Sequence, residues 1–178
     1  MRNYFLGLCL LFALCFTACS HSDDSVDVLI IGGGASGVTA GIQSARMGAA
    51  TLIVEETEWL GGMLTSAGVS AVDGNYDLPA GLFGEFREHL ADYYGGLDSL
   101  KTGWVSAVLF EPSVGNKIFH EMVDAEKNLK VWHNATLVKL EREKDVWIAQ
   151  IQMKDNTIKK IHAKILIDGT ESVSYTHL

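Results

Sequence analysis

The alternation of apolar and polar positions divides the chain before any motif is considered. Tyr4 to Phe16 form an almost unbroken apolar run behind Met1-Arg2-Asn3. Such a run is short for a bilayer span, and with a basic residue ahead of it the pattern is that of a signal peptide. Residues 20–25 are polar and acidic and predict a short tether. Val26–Ile31 is apolar and β-branched, as a strand buried on both faces requires. Gly32–Gly37 follows, then helical spacing from Val38 to Met47 with Gly48 as a stop, then a second buried strand over Ala50–Val54. Strand, glycine turn, helix and strand within about 30 residues make a βαβ unit.

Beyond Glu55-Glu56 the pattern loosens. Residues 58–81, rich in glycine and small side chains, predict loop. Leu82, Phe83, Phe86, Leu90, Tyr93 and Tyr94 recur at helical spacing and predict one buried face. Gly95–Phe110 is irregular. A second such helix is predicted from Pro112 or Ser113 to Glu126, with Pro112 in its first turn and Val114, Ile118, Phe119 and Met122 inward. Leu129–His133 predicts a strand. Three alternating runs follow, Leu137–Arg142, Val146–Met153 and Thr157–His162, with turns at Lys144-Asp145 and Asp155-Asn156. Ala163–Ile167 predicts a last buried strand. The expected fold class is therefore α/β, a Rossmann-like domain over 26–171 with a parallel sheet, one βαβ unit and a three-stranded antiparallel meander.

Charge and cysteine content narrow the partners. The net charge is −8 and the pI about 5.1, with no basic stripe, so nucleic acid is not an expected partner. The three cysteines, Cys9, Cys15 and Cys19, all lie at or before residue 19, which leaves the domain no disulfide and no catalytic thiol. Phe16-Thr17-Ala18-Cys19 resembles the lipobox of bacterial lipoproteins, although Phe16 stands where leucine is commoner. By that resemblance residues 1–19 are a lipoprotein signal peptide and Cys19 is lipidated. The protein would then be anchored in the cell envelope, each buried acyl methylene adding about 0.8 kcal/mol. No twin arginine is present, so export of the unfolded chain is expected, with any flavin captured outside the cytoplasm. At the other end, Val173–Leu178 reads as a transposase sequencing adapter translated in one frame. Residues 172–178 are accordingly expected to be foreign to the fold, with the gene continuing past Glu171. The alternative is a genuine polar tail.

The clearest chemistry lies in Gly32-Gly33-Gly34-Ala35-Ser36-Gly37, a G-x-G-x-x-G turn between a strand and a helix. Gly32 suits the tight turn, Gly34 the approach of a diphosphate to bare backbone, and Gly37 close helix–strand packing. The first amides and the positive end of the helix would hold the phosphates. Glu55, 23 positions after Gly32 at the tip of the second strand, is the acid expected to accept the ribose hydroxyls. Its charge disfavours a 2′-phosphate, hence NADP.

More than fifty residues separate the second strand from the third, and a meander follows. That layout resembles the FAD domain of glutathione-reductase-like flavoproteins. The likeness is carried by Leu60-Gly61-Gly62 after the acid, by Leu137 in the first meander strand, and by Ile167-Asp168-Gly169-Thr170. The disulfide reductases of that superfamily carry a redox cysteine pair where this chain has Leu64 and Val69, so thiol–disulfide relay is excluded. The chain also resembles the broad bacterial family of FAD-dependent oxidoreductases. Residues 60–68 with Asp73-Gly74-Asn75, Phe110-Glu111-Pro112 and residues 167–171 carry that resemblance. It implies FAD as cofactor, a small-molecule substrate, and Gly61, Gly62, Met63, Thr65, Leu137 and Asp168 near the cofactor. Met63 is equally a packing candidate. Asp73 and Asn75 face substrate or form a polar turn, and His120 and His133 are expected at the surface or in structural roles. No metal-ligand spacing and no nucleophile–base pair is evident. Two other functions stay open: an NAD-linked dehydrogenase, and a non-enzymatic envelope lipoprotein binding nucleotide or glycan.

Overall fold

A computed structural model describes residues 24–73, 78, 80–104 and 106–171. Cys19, Asn75 and residues 172–178 lie outside them. Among the described residues, thirteen elements follow one another. The first are β1 (Asp24–Ile31), α1 (Ala35–Arg46), β2 (Thr51–Val54), a 3-10 turn at Gly62–Leu64, β3 (Ala71–Val72) and α2 (Gly81–Tyr94). Next come a 3-10 turn at Leu97–Leu100, β4 (Val108–Leu109), α3 (Pro112–Asp124) and β5 (Leu129–Trp132). The meander strands β6 (Thr136–Glu143), β7 (Val146–Gln152) and β8 (Ile158–Asp168) close the series.

Six strands form one sheet in the order β5-β2-β1-β8-β7-β6. The first four run parallel, and β8, β7 and β6 antiparallel. Val28–Ile30 of β1 and all of β2 are buried on both faces, which is why they read as unbroken apolar runs. Ala163–Ile167, expected to be buried, is so only at Ala163, with Lys164 and Ile165 exposed. Val28, Ile30 and Ile53 meet Val38 and Ile42 of α1, Phe86 and Leu90 of α2, and Ile118 and Phe119 of α3. Leu29, Leu52 and Val54 point the other way and join Ala149, Ile151, Ile161 and Ala163 of the meander. A pleated strand alternates its side chains, so β1 feeds both cores at once.

Several boundaries differ from expectation. β1 begins at Asp24, because Asp24 and Ser25 pair with Ile161 and His162; the predicted tether gives two residues to the sheet. The third meander run and the last buried strand are a single strand. β8 pairs antiparallel with β7 up to Ala163 and parallel with β1 from Ile161 to Asp168. Its switch from alternating to continuous hydrophobicity records a change of neighbours, which the sequence pattern presents as two strands. β3 and β4 pair inside segments expected to be loop. Tyr93, expected inward, is 53% exposed, whereas Phe86 and Leu90 on the same helix are buried. Pro112 does occupy the first turn of α3, and Glu111 before it is tied to Tyr94, whose hydroxyl donates to Glu111 Oε2 at 2.9 Å and accepts the Glu111 N–H.

Candidate functional site

Three parallel strands end at one level. Ile31 is in register with Val54 on one side and Asp168 on the other. The loops leaving them are stitched together by backbone: Gly32 N–H donates to Val54 O at 2.8 Å, and Gly169 N–H to Ile31 O at 2.7 Å. Ligands of open α/β sheets bind at this carboxyl edge.

The glycine turn is fixed by crowding. Gly32 has φ +94°, and a Cβ there would lie 2.5 Å from the backbone of Gly169. A Cβ on Gly37 would run into Gly32 O. α1 therefore starts directly against the turn, and Gly169 fills the third side of the crossing. Val38 N–H closes the first helical bond onto Gly34 O, so the amides ahead of it have no intrahelical acceptor. No side chain caps this end, and no acid lies in the first turn of α1. The helix begins at Ala35, three residues earlier than the predicted Val38, so Ala35 and Ser36 lie in its first turn.

Glu55 lies beside that turn. Its Oε2 accepts the Gly33 N–H at 2.7 Å, and its Oε1 accepts the Thr57 N–H at 2.9 Å and the Thr57 hydroxyl at 2.7 Å. A carboxylate offers about four acceptor positions. One on Oε2 is left for a ribose hydroxyl, and a second opens if the Thr57 hydroxyl turns to Trp59 O, 3.1 Å away. Thr57 is thus a partner of the site that the spacing argument did not single out, since nothing in the residue types marks it.

The Leu60–Thr65 segment is bonded to the glycine turn, Gly61 N–H donating to Gly33 O at 2.8 Å. It is held from below by α3, where Asn116 Oδ1 accepts the Leu60 N–H at 2.8 Å and Phe119 packs against Gly61. Thr65, expected near the flavin, is buried, and its hydroxyl donates to Leu60 O at 2.6 Å; it shapes the turn. Met63 is 55% exposed, open to a ligand rather than packed. Gly62 lies at the mouth of the cradle beside Gly34.

The remaining candidates are dispersed. Asp168 turns back on its own loop, accepting the N–H and hydroxyl of Thr170 at 2.9 and 2.8 Å. Leu137 is half-buried in β6 opposite Ile151 and packs with the meander core; just before it in the chain, Ala135 N–H donates to Glu55 O at 3.0 Å. Asp73 is exposed. His120 and His133 lie 5.1 Å apart and bond the carbonyls of Glu58 and Thr57 respectively, bracing the loop behind Glu55. Trp104 is fully exposed, and Trp132 and Trp147 lie under Lys159 and Arg142. Among the described residues, no three His, Cys, Asp or Glu side chains gather as a metal would need, and no helix is long and apolar enough to cross a membrane.

One contact was not anticipated. Glu171 Oε2 accepts the Met63 N–H at 3.0 Å, and its carboxylate stands against the bare faces of Gly34 and Gly62. An anionic group is thus at home where Gly34 was expected to admit a diphosphate. That cradle, with the ribose acid beside it, suits the residues to FAD.

Fold and site together define a Rossmann-type dinucleotide-binding domain. The family described as FAD dependent oxidoreductase matches residues 27–174, and the chain belongs to it. The cofactor is therefore FAD, and the NAD-linked alternative falls away. No curated protein is similar in sequence. Among solved structures, a flavoprotein/dehydrogenase from Cytophaga hutchinsonii is similar over 83% of this chain and 39% of its own, with 15% identity and a TM-score of 0.60. The p-nitrophenol 4-monooxygenase of Pseudomonas putida is similar over 85% and 42%, with 14% identity and a TM-score of 0.59. The L-proline dehydrogenase of P. horikoshii matches 82% of this chain and 22% of its own, with 18% identity and a TM-score of 0.50. At these identities the likeness is one of fold, and the chain spans well under half the length of each.

Proposed function

We propose that this chain is the cofactor domain of an enzyme that passes a hydride between a small organic substrate and FAD, exported and held at a bacterial membrane through Cys19. The observation that supports the reading best is the placement of Glu55, bonded to Gly33 N–H with an acceptor position still free. The amides at the start of α1 take the diphosphate and Glu55 takes the adenosine ribose. Gly62 and Met63 present backbone at the mouth of the cradle, able to steady charge on a reduced ring. Bound there, the flavin supplies the two-electron chemistry, while the protein supplies position and field. The substrate-binding part lies in sequence beyond Glu171; the short span relative to the compared structures supports this. The leader pattern and Cys19 support export and lipid attachment.

The test is to express the product of the complete gene and record its visible spectrum. Yellow protein that releases FAD on denaturation, and bleaches when a substrate is added, is the expected result. A colourless product indifferent to added flavin would refute the reading. For the anchor, labelling with a fatty acid should fail in Cys19→Ala; equal label in both forms would refute lipidation at that residue.

A further inference from the structure

The cradle holds a negative group of the protein's own. Glu171 reaches across from the loop after β8, and a Cβ added to Gly34 or to Gly62 would come within 2.6 Å of one of its carboxylate oxygens. This is the space in front of α1, whose N-terminal end favours negative charge and has no capping acid. Three features mark the occupancy as reversible. Glu171 is exposed. Among the described residues its carboxylate accepts one hydrogen bond, from Met63. Its backbone has φ +58°, the left-handed region that a non-glycine residue enters only at a cost. Among the described residues, the other non-glycine positions with positive φ are Asn134, Lys144 and Asn156, all in turns next to meander strands.

We infer that Glu171 is an internal competitor for the diphosphate: it fills the anion seat while the cradle is empty and must leave before FAD can settle. The inference rests on the proposed FAD site and adds to it a residue that sets the affinity. A carboxylate and a diphosphate cannot share the space, since both are negative and the Glu171 carboxylate stands against the bare face of Gly34, where the diphosphate would lie. The carboxylate satisfies the Met63 amide and lies against Gly34 and Gly62, so its departure is a cost set against diphosphate binding. The opposition is confined to the diphosphate; a neutral nucleoside held on the Glu55 side of Gly33 does not meet Glu171.

Calorimetric titration of the full chain, Glu171→Gln and Glu171→Ala with ADP and with adenosine separates the possibilities. ADP should bind about tenfold more tightly to both variants, while adenosine binds all three alike. Weaker ADP binding in both variants overturns the inference, because Glu171 would then support the site. An equal gain for adenosine overturns it too, because the loss of Glu171 would merely have loosened the loop. If neither nucleotide binds any form, the dinucleotide reading itself fails, and the inference with it. ADP binding equal in all three forms leaves that reading standing and removes only the role of Glu171.

Discussion

Two loops leave the same end of the sheet, one after β2 and one after β8, and each delivers a carboxylate to the glycine turn. Glu55 is clamped by three hydrogen bonds from Gly33 and Thr57, and His120 and His133 brace the loop behind it. Among the described residues, Glu171 is held by one hydrogen bond, on a backbone in the left-handed region. The same functional group is thus a fixed part of the cradle in one loop and a removable occupant in the other. Chemical type does not separate the two roles; the number of bonds fixing each group does.

The comparison can be broken or sharpened by substitution. The largest effect is expected from Gly37→Ala, because both loops lean on the crossing of Gly32, Gly37 and Gly169 and the new Cβ would strike Gly32 O. A loss of about 3 kcal/mol in urea unfolding is expected; a loss below roughly 1 kcal/mol would show that the crossing yields easily. Glu55→Ala should cost about 2 kcal/mol of FAD affinity, or roughly thirtyfold, measured by flavin fluorescence, since a charged acceptor is removed. Unchanged affinity would move the ribose elsewhere.

Arg46 provides a contrast remote from both loops. Its guanidinium makes two hydrogen bonds to Glu85 of α2, at 2.7 and 2.9 Å, and one to Glu126 after α3, at 2.7 Å. Arg46→Ala should cost roughly 1 kcal/mol of stability, given the partial exposure of the network, and leave FAD affinity unchanged. The Arg46 hydrogen bond holds the Glu85 carboxyl below its ordinary value of 4.5. A lowered folded pKa contributes stability that is fully present above the ordinary value and is lost as pH falls through the lowered one. The penalty of Arg46→Ala should therefore shrink in acid unfolding curves below about pH 4; a penalty constant with pH would count against the pair. The smallest effect is expected from Thr57→Val, which removes the hydroxyl bond and so frees one acceptor position on Glu55 Oε1. Stability should fall by about 1 kcal/mol or less, with nucleotide affinity held or slightly raised. A clear drop in affinity would make Thr57 a ligand in its own right.

Much of this site was legible because its signals are local. Gly32, Gly34, Gly37 and Glu55 sit at spacings dictated by one βαβ unit, and that unit folds as its pattern requires. What escaped notice depends on contacts between distant segments. Gly169 matters because β8 inserts beside β1, 137 positions along the chain from Gly32, and the run into it was split in two by its change of neighbours. Asn116 looks like any polar residue of a helix until Leu60 is laid across it. Thr65 was placed by resemblance, which transfers position but not the direction of a hydroxyl. The role of Glu171 rests on an ordinary glutamate at a strained φ, information that residue identity alone does not carry.

The central claim is that a dinucleotide lies on the turn at Gly32–Gly37. Titrating FAD into the isotope-labelled chain and following each backbone amide by NMR tests it most directly, because weak binding still moves resonances. Saturable shifts concentrated at Gly33–Gly37 and Met63, and absent in Gly34→Val, are the predicted result. Shifts that cluster at the opposite end of the sheet, around His162 and Lys164, or that persist unchanged in Gly34→Val, would contradict it.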